Sequence, residues 1–472
     1  MIYQYAFLSL VAFERVMFMS KVTAVIMAAG KGTRMKSSHS KPFFKVAGVP
    51  MIKQVCNTAR AAGADNIVVI VGHKKEEIIE IMGDTVSFAE QTRMLGTGDA
   101  VMSAEKLIPD SGEVVILSGD APLIREESVR EALKAHQDGA NSATVFTAVL
   151  PDGGRYGRIL RDENGGVLGI VEFKDADEKQ REIREINGGM YVFNAKDLKE
   201  SLSKINNNNA QGEYYLTDTL GILNSEGKKI GAYVLKDADE ILGVNDKFEL
   251  SKVDKILRMR INEAHARAGV YFQDIENAFI SPEVRIDPDA EIYTGTILEG
   301  NTHIATGCKI GPNSHITNSI LRENVVADNA VIIDSEIGNG TKVGPFTYIR
   351  PGSKIGSDCK IGDFVEIKNS TLGNGTKVSH LTYIGDSDVG EKVNFGCGTV
   401  TSNYDGKKKY RSTIGNRAFI GCNTNLVSPV TVGDDAYIAA GSTITDEVPG
   451  KSLAIARARQ VVKKDWKDKR DM

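Results

Sequence analysis

The sequence has few cysteines, and none lies close to another. Five occur in 472 residues without a Cys-x-x-Cys spacing: Cys56, Cys308, Cys359, Cys397 and Cys422. An odd number of cysteines at such wide intervals excludes a disulfide framework and the ligand spacing that is typical of zinc sites. We therefore expect reduced thiols and a cytoplasmic protein.

The sequence also lacks an excess of one charge and a membrane-spanning run. Its formal net charge is −4 at pH 7, which provides no whole-protein attraction to nucleic acid or to an anionic membrane. Residues 1–18 are apolar, but Glu14 and Arg15 interrupt them, and they have neither a basic start nor a cleavage site. We interpret this segment as an extension of unknown role, with a membrane anchor as the alternative.

From Ile286 to Ile444 an apolar residue returns at every sixth position. Neither a helix nor an ordinary strand has that period. A chain that turns a corner every six residues does, which predicts a parallel β-solenoid whose axis these residues fill. Three runs are predicted to point inward: Ile286, Ile292, Leu298, Ile304, Ile310 and Ile316; Val325, Val331, Ile337, Val343, Ile349, Ile355, Ile361 and Ile367; Ile414, Ile420, Leu426, Val432, Ile438 and Ile444.

The part of the chain before the repeat has a different pattern. Short apolar runs at 22–27, 67–71 and 114–117 alternate with helical patterns such as 50–62 and 126–137. Alternating strands and helices predict an α/β domain with a mostly parallel sheet. Ligands of such sheets bind at the carboxyl ends of the strands.

Two features follow these strand ends. The Gly30-Lys31-Gly32 loop lets backbone N–H groups approach phosphate oxygens, although a plain tight turn is the alternative. The loop lacks the Gly-Lys-Ser/Thr ending of a Walker motif and the third glycine of a dinucleotide fingerprint. Asp120 follows the run at 114–117, where a metal ligand for a nucleotide phosphate belongs, and Asn245 offers a second oxygen.

These motifs carry a family resemblance that extends over nearly the whole chain after Met19. The ordered set is the 28–35 loop AAGKGTRM, Lys41, Gln91, the 95–98 LGTG loop, Gly119-Asp120, the 156–159 YGRI motif, Glu172, Asn187, the 207–215 segment and the 243–245 GVN motif. The set resembles sugar-phosphate nucleotidyltransferases, and in particular the family of bacterial bifunctional N-acetylglucosamine-1-phosphate uridyltransferases and glucosamine-1-phosphate acetyltransferases.

The resemblance implies roles for the residues of the first domain. Ala28, Ala29 and Gly30 would lie against UTP, Gln91, Gly96 and Thr97 would read the uracil, and Gly157, Glu172 and Asn187 would hold the sugar. Asp120 and Asn245 would hold Mg²⁺, Arg34 and Lys41 would stabilise the developing charge as catalytic residues, and Lys41 and Asn245 would also contact the nucleotide. The sequence departs from the family pattern at 40–44, Met94, Phe173 and Gly188.

The same resemblance assigns an acetyl-transfer site to the solenoid. Histidine commonly serves as a general base in enzymes, so His380 is the expected general base, and Glu366 is expected to orient it. Arg350, Lys368, Tyr383 and Asn394 would bind the acetyl acceptor. The acetyl-CoA set is Cys397, Asn403, Tyr404, Lys409, Cys422, Ala440 and Arg457, with Asn403 also near the sugar. The family usually has Ala and Ser at 397 and 422. The repeat breaks at 399–413, which indicates a binding excursion.

We therefore predict five segments. These are the extension 1–18, a Rossmann-like α/β uridyltransferase domain at 19–245, a linker helix at 246–269, a left-handed parallel β-helix acetyltransferase domain of hexapeptide repeats at 270–462, and a charged tail at 463–472. The predicted enzyme makes UDP-N-acetylglucosamine, a cell-wall precursor, from glucosamine-1-phosphate, acetyl-CoA and UTP. The resemblance implies a homotrimer, without nucleic-acid or membrane partners.

Two alternatives remain at the level of sequence. One is a nucleotidyltransferase whose solenoid is regulatory, which His380 and the Asn403-Tyr404 loop disfavour. The other is a non-catalytic subunit that binds a sugar nucleotide, which would be expected to have lost Arg34, Lys41 or Asp120.

Overall fold

The computed structural model describes residues 21–467 and divides into two units. The first unit ends at Leu257, and the second begins at Arg258. The predicted extension at 1–18 and the end of the predicted tail, 468–472, lie outside the described residues. Within residues 21–467, none of the helices combines the length and apolar character that a membrane crossing requires.

The first unit is built on a nine-stranded mixed sheet. Its strands, with a separate β2–β3 pair, are β1 Val22–Met27, β2 Lys45–Val46, β3 Val49–Pro50, β4 Asn66–Val71, β5 Ser87–Glu90, β6 Glu113–Ser118, β7 Ala143–Val149, β8 Arg158–Arg161, β9 Val167–Val171, β10 Glu185–Asn194 and β11 Ile230–Val234. The main order is β11-β7-β10-β6-β1-β4-β5. Strands β6, β1, β4 and β5 are parallel, and β10 is antiparallel to both β6 and β7.

Helices cover both faces of this sheet. They are α1 Met51–Ala61, α2 Lys75–Met82, α3 Thr97–Ser103, α4 Glu126–Asp138, α5 Glu178–Arg181, α6 Ala195–Leu202, α7 Asp218–Ser225 and α8 Lys247–Arg267. In β1, Ala24 and Ile26 pack into one core and Val25 into the other. Burial on both faces explains why this strand reads as a continuous apolar run. The carboxyl ends of β1, β4 and β6 consequently meet at one edge of the sheet.

Helix α8 occupies the segment for which a linker helix at 246–269 is predicted. Gly269, with φ of 102°, follows it in the left-handed region, where glycine is the favoured residue. The chain passes from the first unit into the second within this helix.

The second unit is a parallel coil with three faces. Face 1 consists of Tyr271–Phe272, Glu291–Ile292, Lys309–Ile310, Val326–Ala327, Lys342–Val343, Lys360–Asp363, Lys377–His380, Asn394–Phe395, Phe419–Ile420, Tyr437–Ile438 and Leu453–Ala454. Face 2 consists of Phe279–Ile280, Ile297–Glu299, His315–Thr317, Val331–Ile333, Tyr348–Ile349, Glu366–Lys368, Tyr383–Gly385, Val400–Ser402, Asn425–Val427 and Thr443–Ile444. Face 3 consists of Arg285–Ile286, His303–Ile304, Ile320–Leu321, Glu336–Ile337, Lys354–Ile355, Thr371–Leu372, Ser387–Val389, Ser412–Ile414 and Thr431–Val432.

The axis of the coil is filled as predicted at all but one of the positions in the three runs. Val331 points outward and is half-buried, whereas its neighbour Ile332 is fully buried and pairs with Ile316. The prediction for Val331 is wrong because some corners are one residue shorter than the hexad. Ile316 is followed inward by Leu321 after five residues, and Ala327 by Ile332 after five. Each short corner shifts the phase of the repeat by one residue.

The chain leaves the coil at the predicted break. After the face 2 strand Val400–Ser402 the chain runs outward and returns at the face 3 strand Ser412–Ile414. Tyr404 and Lys409 form an antiparallel bridge inside this excursion. The ladder is intact around it, since Asn394 still pairs with Phe419 on face 1.

Candidate active sites

A cleft of about 410 Å³ opens at the carboxyl ends of β1 and β6 in the first unit. It is lined by the two glycine-rich loops, the start of α3 and the turn after β6. The predicted residues among its walls are Ala28, Ala29, Gly30, Lys41, Gln91, Gly96, Thr97 and Asp120. The structure therefore brings most of the predicted nucleotide set into one cavity, together with Met94.

Two predicted metal ligands meet at one cation. The ammonium of Lys41 forms an ion pair with Asp120 and donates to Asn245 Oδ1 at 3.2 Å. Arg34 donates to the same Asn245 oxygen at 2.8 Å. Ser118 Oγ donates to the other oxygen of Asp120 at 2.7 Å, which fixes the carboxylate. A positive charge thus already sits between the carboxylate and amide oxygens that are expected to hold Mg²⁺.

Gln91 is buried and its amide nitrogen is engaged. It donates to Gly96 O at 3.0 Å and to Asp99 Oδ2 at 2.9 Å. Asp99 also accepts from Arg93 at 2.6 Å. Burial tends to raise the pKa of Asp99, but the hydrogen bonds from Gln91, Leu95 and Arg93 outweigh it and hold the pKa below its ordinary value. This network fixes the loop that ends at Thr97, so the cleft wall is preformed.

The predicted sugar residues form a second group beside the cleft. The backbone N–H of Asn187 donates to Gly157 O at 2.9 Å, and a Cβ added to Gly157 would lie 3.4 Å from Glu172 Oε2. Burial raises the pKa of Glu172, and Thr217 donates to it at 3.3 Å. Gly157, Glu172 and Asn187 therefore surround one small space.

Arg158 holds the loop that carries Gly157. Its guanidinium is 2% exposed and donates only to backbone carbonyls: Gly153 and Gly154 at 3.0 Å each, Arg181 at 3.2 Å, and Tyr156. Phe173 lies within 5.7 Å of it and 4.9 Å of the Arg181 guanidinium. Arg158 has no role that the sequence predicts, because backbone carbonyl acceptors leave no residue pattern.

Six predicted residues of the solenoid gather on or beside face 2, namely Arg350, Glu366, Lys368, Tyr383, Asn403 and Lys409. Arg350 donates to Glu366 Oε1 at 2.8 Å, Lys368 lies 3.5 Å from Asp386 Oδ2, and Asn403 donates to Asp386 at 2.6 Å. Parallel pairing of Glu366 with Tyr383 stacks the tyrosine on the same face. Hydrogen bonding with Lys368, and then the like charge of that residue, lowers the pKa of Lys409 from the excursion. The cations of this cluster, which also includes the unpredicted Asp386, suit a phosphate.

His380 lies at the end of a face 1 strand, and its hydrogen-bond partner within the chain is Asp363. Its Nδ1 is 2.7 Å from Asp363 Oδ1, whereas Glu366 binds Arg350. Within this chain Asp363, and not Glu366, is hydrogen-bonded to His380, because parallel pairing sets Asp363 directly beside His380 while Glu366 is on face 2; the orienting role of Glu366 stays a prediction. The hydrogen bond with His380 holds the pKa of Asp363 below its ordinary value. The 17-residue interval between them, one turn of the coil, was the available signal.

The predicted acetyl-CoA residues lie in two places. Cys397, Cys422 and Ala440 occupy equivalent positions at one corner of successive coils, and Arg457 approaches Gly441 in the next coil. Tyr404 and Lys409 are on the excursion, and Asn403 is at its base. Asn394 lies on face 1, paired with Lys377 one coil from His380. Cys397, Cys422, Ala440 and Arg457 thus form a row along the axis, here named the corner column.

Two protein-family models match different parts of the chain. The nucleotidyl transferase family model matches residues 23–275, and that for bacterial transferase hexapeptide repeats matches 334–369 and 411–446. The bifunctional protein GlmU of Acetivibrio thermocellus is 51% identical over 457 residues, 96% of this chain and 99% of that protein. The chain belongs to the GlmU family. GlmU of Clostridium acetobutylicum is 51% identical over 451 residues, 95% of this chain and 99% of that protein.

A solved structure, UDP-glucose pyrophosphorylase complexed with UDP-glucose, covers 51% of this chain and 99% of its own at 18% identity. Its TM-score of 0.43 is too low to support an inference. Membership of the GlmU family confirms the predicted fold class and the predicted enzyme with two transferase domains.

Within the GlmU fold, the departures noted in the sequence have distinct surroundings. Met94 lines the cleft at the ends of β1 and β6 with φ of 51°, and the Phe173 ring has the Arg158 and Arg181 guanidinium groups as neighbours. Gly188 is closely packed, since an added Cβ would lie 2.8 Å from Phe146 O. A larger side chain at 188 therefore requires the backbone of β7 to shift.

Proposed function

We propose that the chain catalyses two sequential transfers, acetyl from acetyl-CoA to glucosamine-1-phosphate and then uridylyl from UTP to N-acetylglucosamine-1-phosphate. The observation that carries this conclusion is the presence of two separate clusters in one chain. One is the Lys41–Asp120–Asn245 group in the cleft, and the other is the Asp363–His380 pair on the coil. The product is UDP-N-acetylglucosamine, a precursor of peptidoglycan and lipopolysaccharide.

Uridylyl transfer requires no side-chain nucleophile. A phosphate oxygen of the sugar attacks the α-phosphorus of UTP in line, the new P–O bond forms, and pyrophosphate leaves. The chain contributes positioning and positive charge. Arg34 and Lys41, which share the Asn245 oxygen as acceptor, face the phosphates, while Gly157, Glu172 and Asn187 orient the sugar.

The residues at the cleft fit Mg²⁺. Asp120 Oδ2 and Asn245 Oδ1 both contact the Lys41 ammonium, so two hard oxygen donors are already within reach of one cation. Within residues 21–467 no group of three or more His, Cys, Asp or Glu side chains forms a metal site. Two protein ligands with substrate phosphates are the usual arrangement for Mg²⁺, which when bound neutralises charge on the phosphates.

Acetyl transfer requires a neutral amine on the acceptor. With Nδ1 of His380 held by Asp363, the outer Nε2 is left to take the proton as the amine attacks the thioester carbonyl. The C–S bond then breaks and the CoA thiol leaves. Arg350, Lys368 and Lys409 bind the sugar phosphate, and the corner column from Cys397 to Arg457 binds acetyl-CoA.

The exposed surface beside His380 supports a homotrimer with sites between copies. Phe346, Phe364 and Leu381 occupy one corner of three successive coils and are 59%, 57% and 56% exposed. Each has φ between 42° and 56°, a conformation that costs roughly 1–2 kcal/mol for a side chain with a Cβ. An exposed apolar ridge of this kind marks an interaction surface. Leu381 directly follows His380, so a second copy on the ridge would lie beside the base.

The proposed location is the cytoplasm. Its support is chemical: the five cysteines are all free, and three of them are buried. Such thiols are typical of a reducing compartment, where UTP and acetyl-CoA are also available.

The test is a pair of substitutions assayed for both activities. Asp120→Ala should abolish pyrophosphate release and spare release of the CoA thiol, and His380→Ala should do the opposite. Matched controls are Asp110→Ala, an exposed carboxylate, and His315→Ala, a histidine that pairs with Glu299 elsewhere on the coil. Loss of both activities from either folded variant would disprove two independent sites.

A further inference from the structure

Two of the five cysteines are neighbours in the coil although they are far apart in sequence. Asn394 pairs with Phe419 and Phe395 with Ile420. Two residues farther along both strands, Cys397 is opposite Cys422. The backbone confirms the alignment, because Asn423 N donates to Cys397 O at 2.7 Å and Gly396 N to Ile420 O at 2.7 Å.

The ladder sets the distance between these cysteines. Adjacent strands are about 4.8 Å apart, which lies within the roughly 4.4–6.8 Å that separates the Cα atoms of disulfide-bonded cysteines. A Cβ added to Gly396 would lie 2.5 Å from Cys422 N, so the two coils are in close contact at this corner. Because the strands are parallel, both side chains leave the backbone in the same direction.

Exposure separates this pair from the other cysteines. Cys422 is exposed and Cys397 is partly exposed, whereas Cys56, Cys308 and Cys359 are buried. Burial raises the pKa of Cys56 to about 12 and that of Cys308 to about 11. The buried thiols stay protonated and inaccessible, while the pair at the corner can meet a dissolved oxidant.

We propose that Cys397 and Cys422 form a thiol-modification site, a dithiol that a low-molecular-weight disulfide converts into an intrachain disulfide. The thiolate of Cys422 attacks one sulfur of the small disulfide, a mixed disulfide forms and one small thiol leaves. The thiolate of Cys397 then attacks the Cys422 sulfur, the protein disulfide forms and the second small thiol leaves. Two protein thiols are oxidised, and one small disulfide is reduced to two thiols.

The disulfide has a consequence for the reaction, and that consequence rests on the proposed function. Cys397 and Cys422 are two rungs of the corner column assigned to acetyl-CoA. A bond between their sulfurs would change the shape of this wall and draw both side chains away from the ligand. Acetyl transfer should fall several-fold on oxidation and recover on reduction, while uridylyl transfer in the other unit should be unchanged.

The experiment uses the full-length protein and oxidised glutathione as the probe. After incubation the free thiols are alkylated, the protein is digested without reduction, and peptides are identified by mass. We expect a cross-linked pair of peptides that contains Cys397 and Cys422, with the three buried cysteines alkylated only after unfolding. Cys397→Ala and Cys422→Ser should each abolish the cross-link. In each variant the acetyl-transfer activity of the glutathione-treated protein should be the same before and after reduction with dithiothreitol.

The outcomes separate the two ideas. Glutathione that remains on either cysteine as a stable adduct, or a cross-link between chains, would overturn the dithiol. A Cys397–Cys422 cross-link with unchanged acetyl transfer would support the dithiol and count against the acetyl-CoA groove. A cross-link with reversible loss of acetyl transfer supports both.

Discussion

Replacing Arg158 by methionine should loosen the loop that carries Gly157 and thereby weaken sugar binding. The guanidinium is buried and donates to the carbonyls of Gly153, Gly154, Tyr156 and Arg181. Methionine fills similar space without donating. The loop carbonyls then lose the group that fixes their direction, and Gly157 loses its position against Glu172.

The size of the loss in stability depends on which carbonyls can find another hydrogen-bond donor. Gly154 and Arg181 are exposed, so their carbonyls can turn to water, whereas Gly153 is buried and Tyr156 is half-buried. The buried carbonyl of Gly153 and the half-buried carbonyl of Tyr156 cost about 1–3 kcal/mol each when they lose their donor, so the free energy of unfolding of the first unit should fall by about 4 kcal/mol. For a unit of this size that corresponds to a decrease in Tm of roughly 8–16 °C.

The assay combines thermal unfolding of the first unit with steady-state kinetics of uridylyl transfer. KM for N-acetylglucosamine-1-phosphate should rise far more than KM for UTP, because the UTP cleft does not depend on this loop. Arg155→Met is the matched control, since Arg155 is in the same loop and exposed. A Tm within 2 °C of wild type, by the conversion used above, or equal increases in both KM values would refute this reasoning.

Three further predictions concern other residues. Asp363→Asn should lower kcat for acetyl transfer by about ten- to a hundredfold, which is part of what a positioned base contributes. Hydrogen bonding to His380 lowers the pKa of Asp363. In pH–rate profiles the higher kcat of the wild type should therefore persist at neutral pH and disappear only as the pH falls through the lowered pKa of Asp363. Phe364→Asp should lower the molar mass seen in light scattering from that of the proposed homotrimer to that of one chain. Phe248→Asp, at an exposed residue of the other unit, should leave the molar mass unchanged. Glu172→Gln should raise the Tm of the first unit at neutral pH while raising KM for the sugar phosphate. Burial raises the pKa of Glu172 in the folded protein above its pKa in the unfolded chain. The gain in Tm should therefore appear as the pH rises from the unfolded to the folded pKa, and it should be absent at lower pH.

The sequence predicts nearly all of the residues along the axis of the solenoid, because each face contributes one inward apolar residue per coil and these residues recur at a regular interval. It predicts the neighbours across coils less well. The turn from Val326 to Lys342 is shorter than the turn from Lys342 to Lys360, so a fixed period misplaces Val331. The pairing of Asp363 with His380 likewise depends on the length of one turn of the coil, which the resemblance that suggests Glu366 does not supply.

Much of the cleft could be predicted as a set because Ala28, Gln91 and Asp120 closely follow the ends of β1, β5 and β6, whose parallel pairing brings them to one edge. Lys41 and Asn245 lie more than ten residues beyond the ends of β1 and β11 and join Asp120 through side-chain contacts. The support beneath the site could not be predicted. Arg158 binds main-chain carbonyls, and any residue supplies a carbonyl, so no sequence pattern marks its acceptors.

The excursion at 403–411 shows how such a coil can acquire new chemistry. The turn from Asn394 to Phe419 spans 25 residues, eight more than the 17 of the preceding turn from Lys377 to Asn394, and the ladder continues in register on either side of it. A loop inserted at a corner can therefore change in length and composition without altering the dimensions of the coil that carries it. Exchange of this loop alone is a route to a different acyl acceptor or donor on an unchanged scaffold.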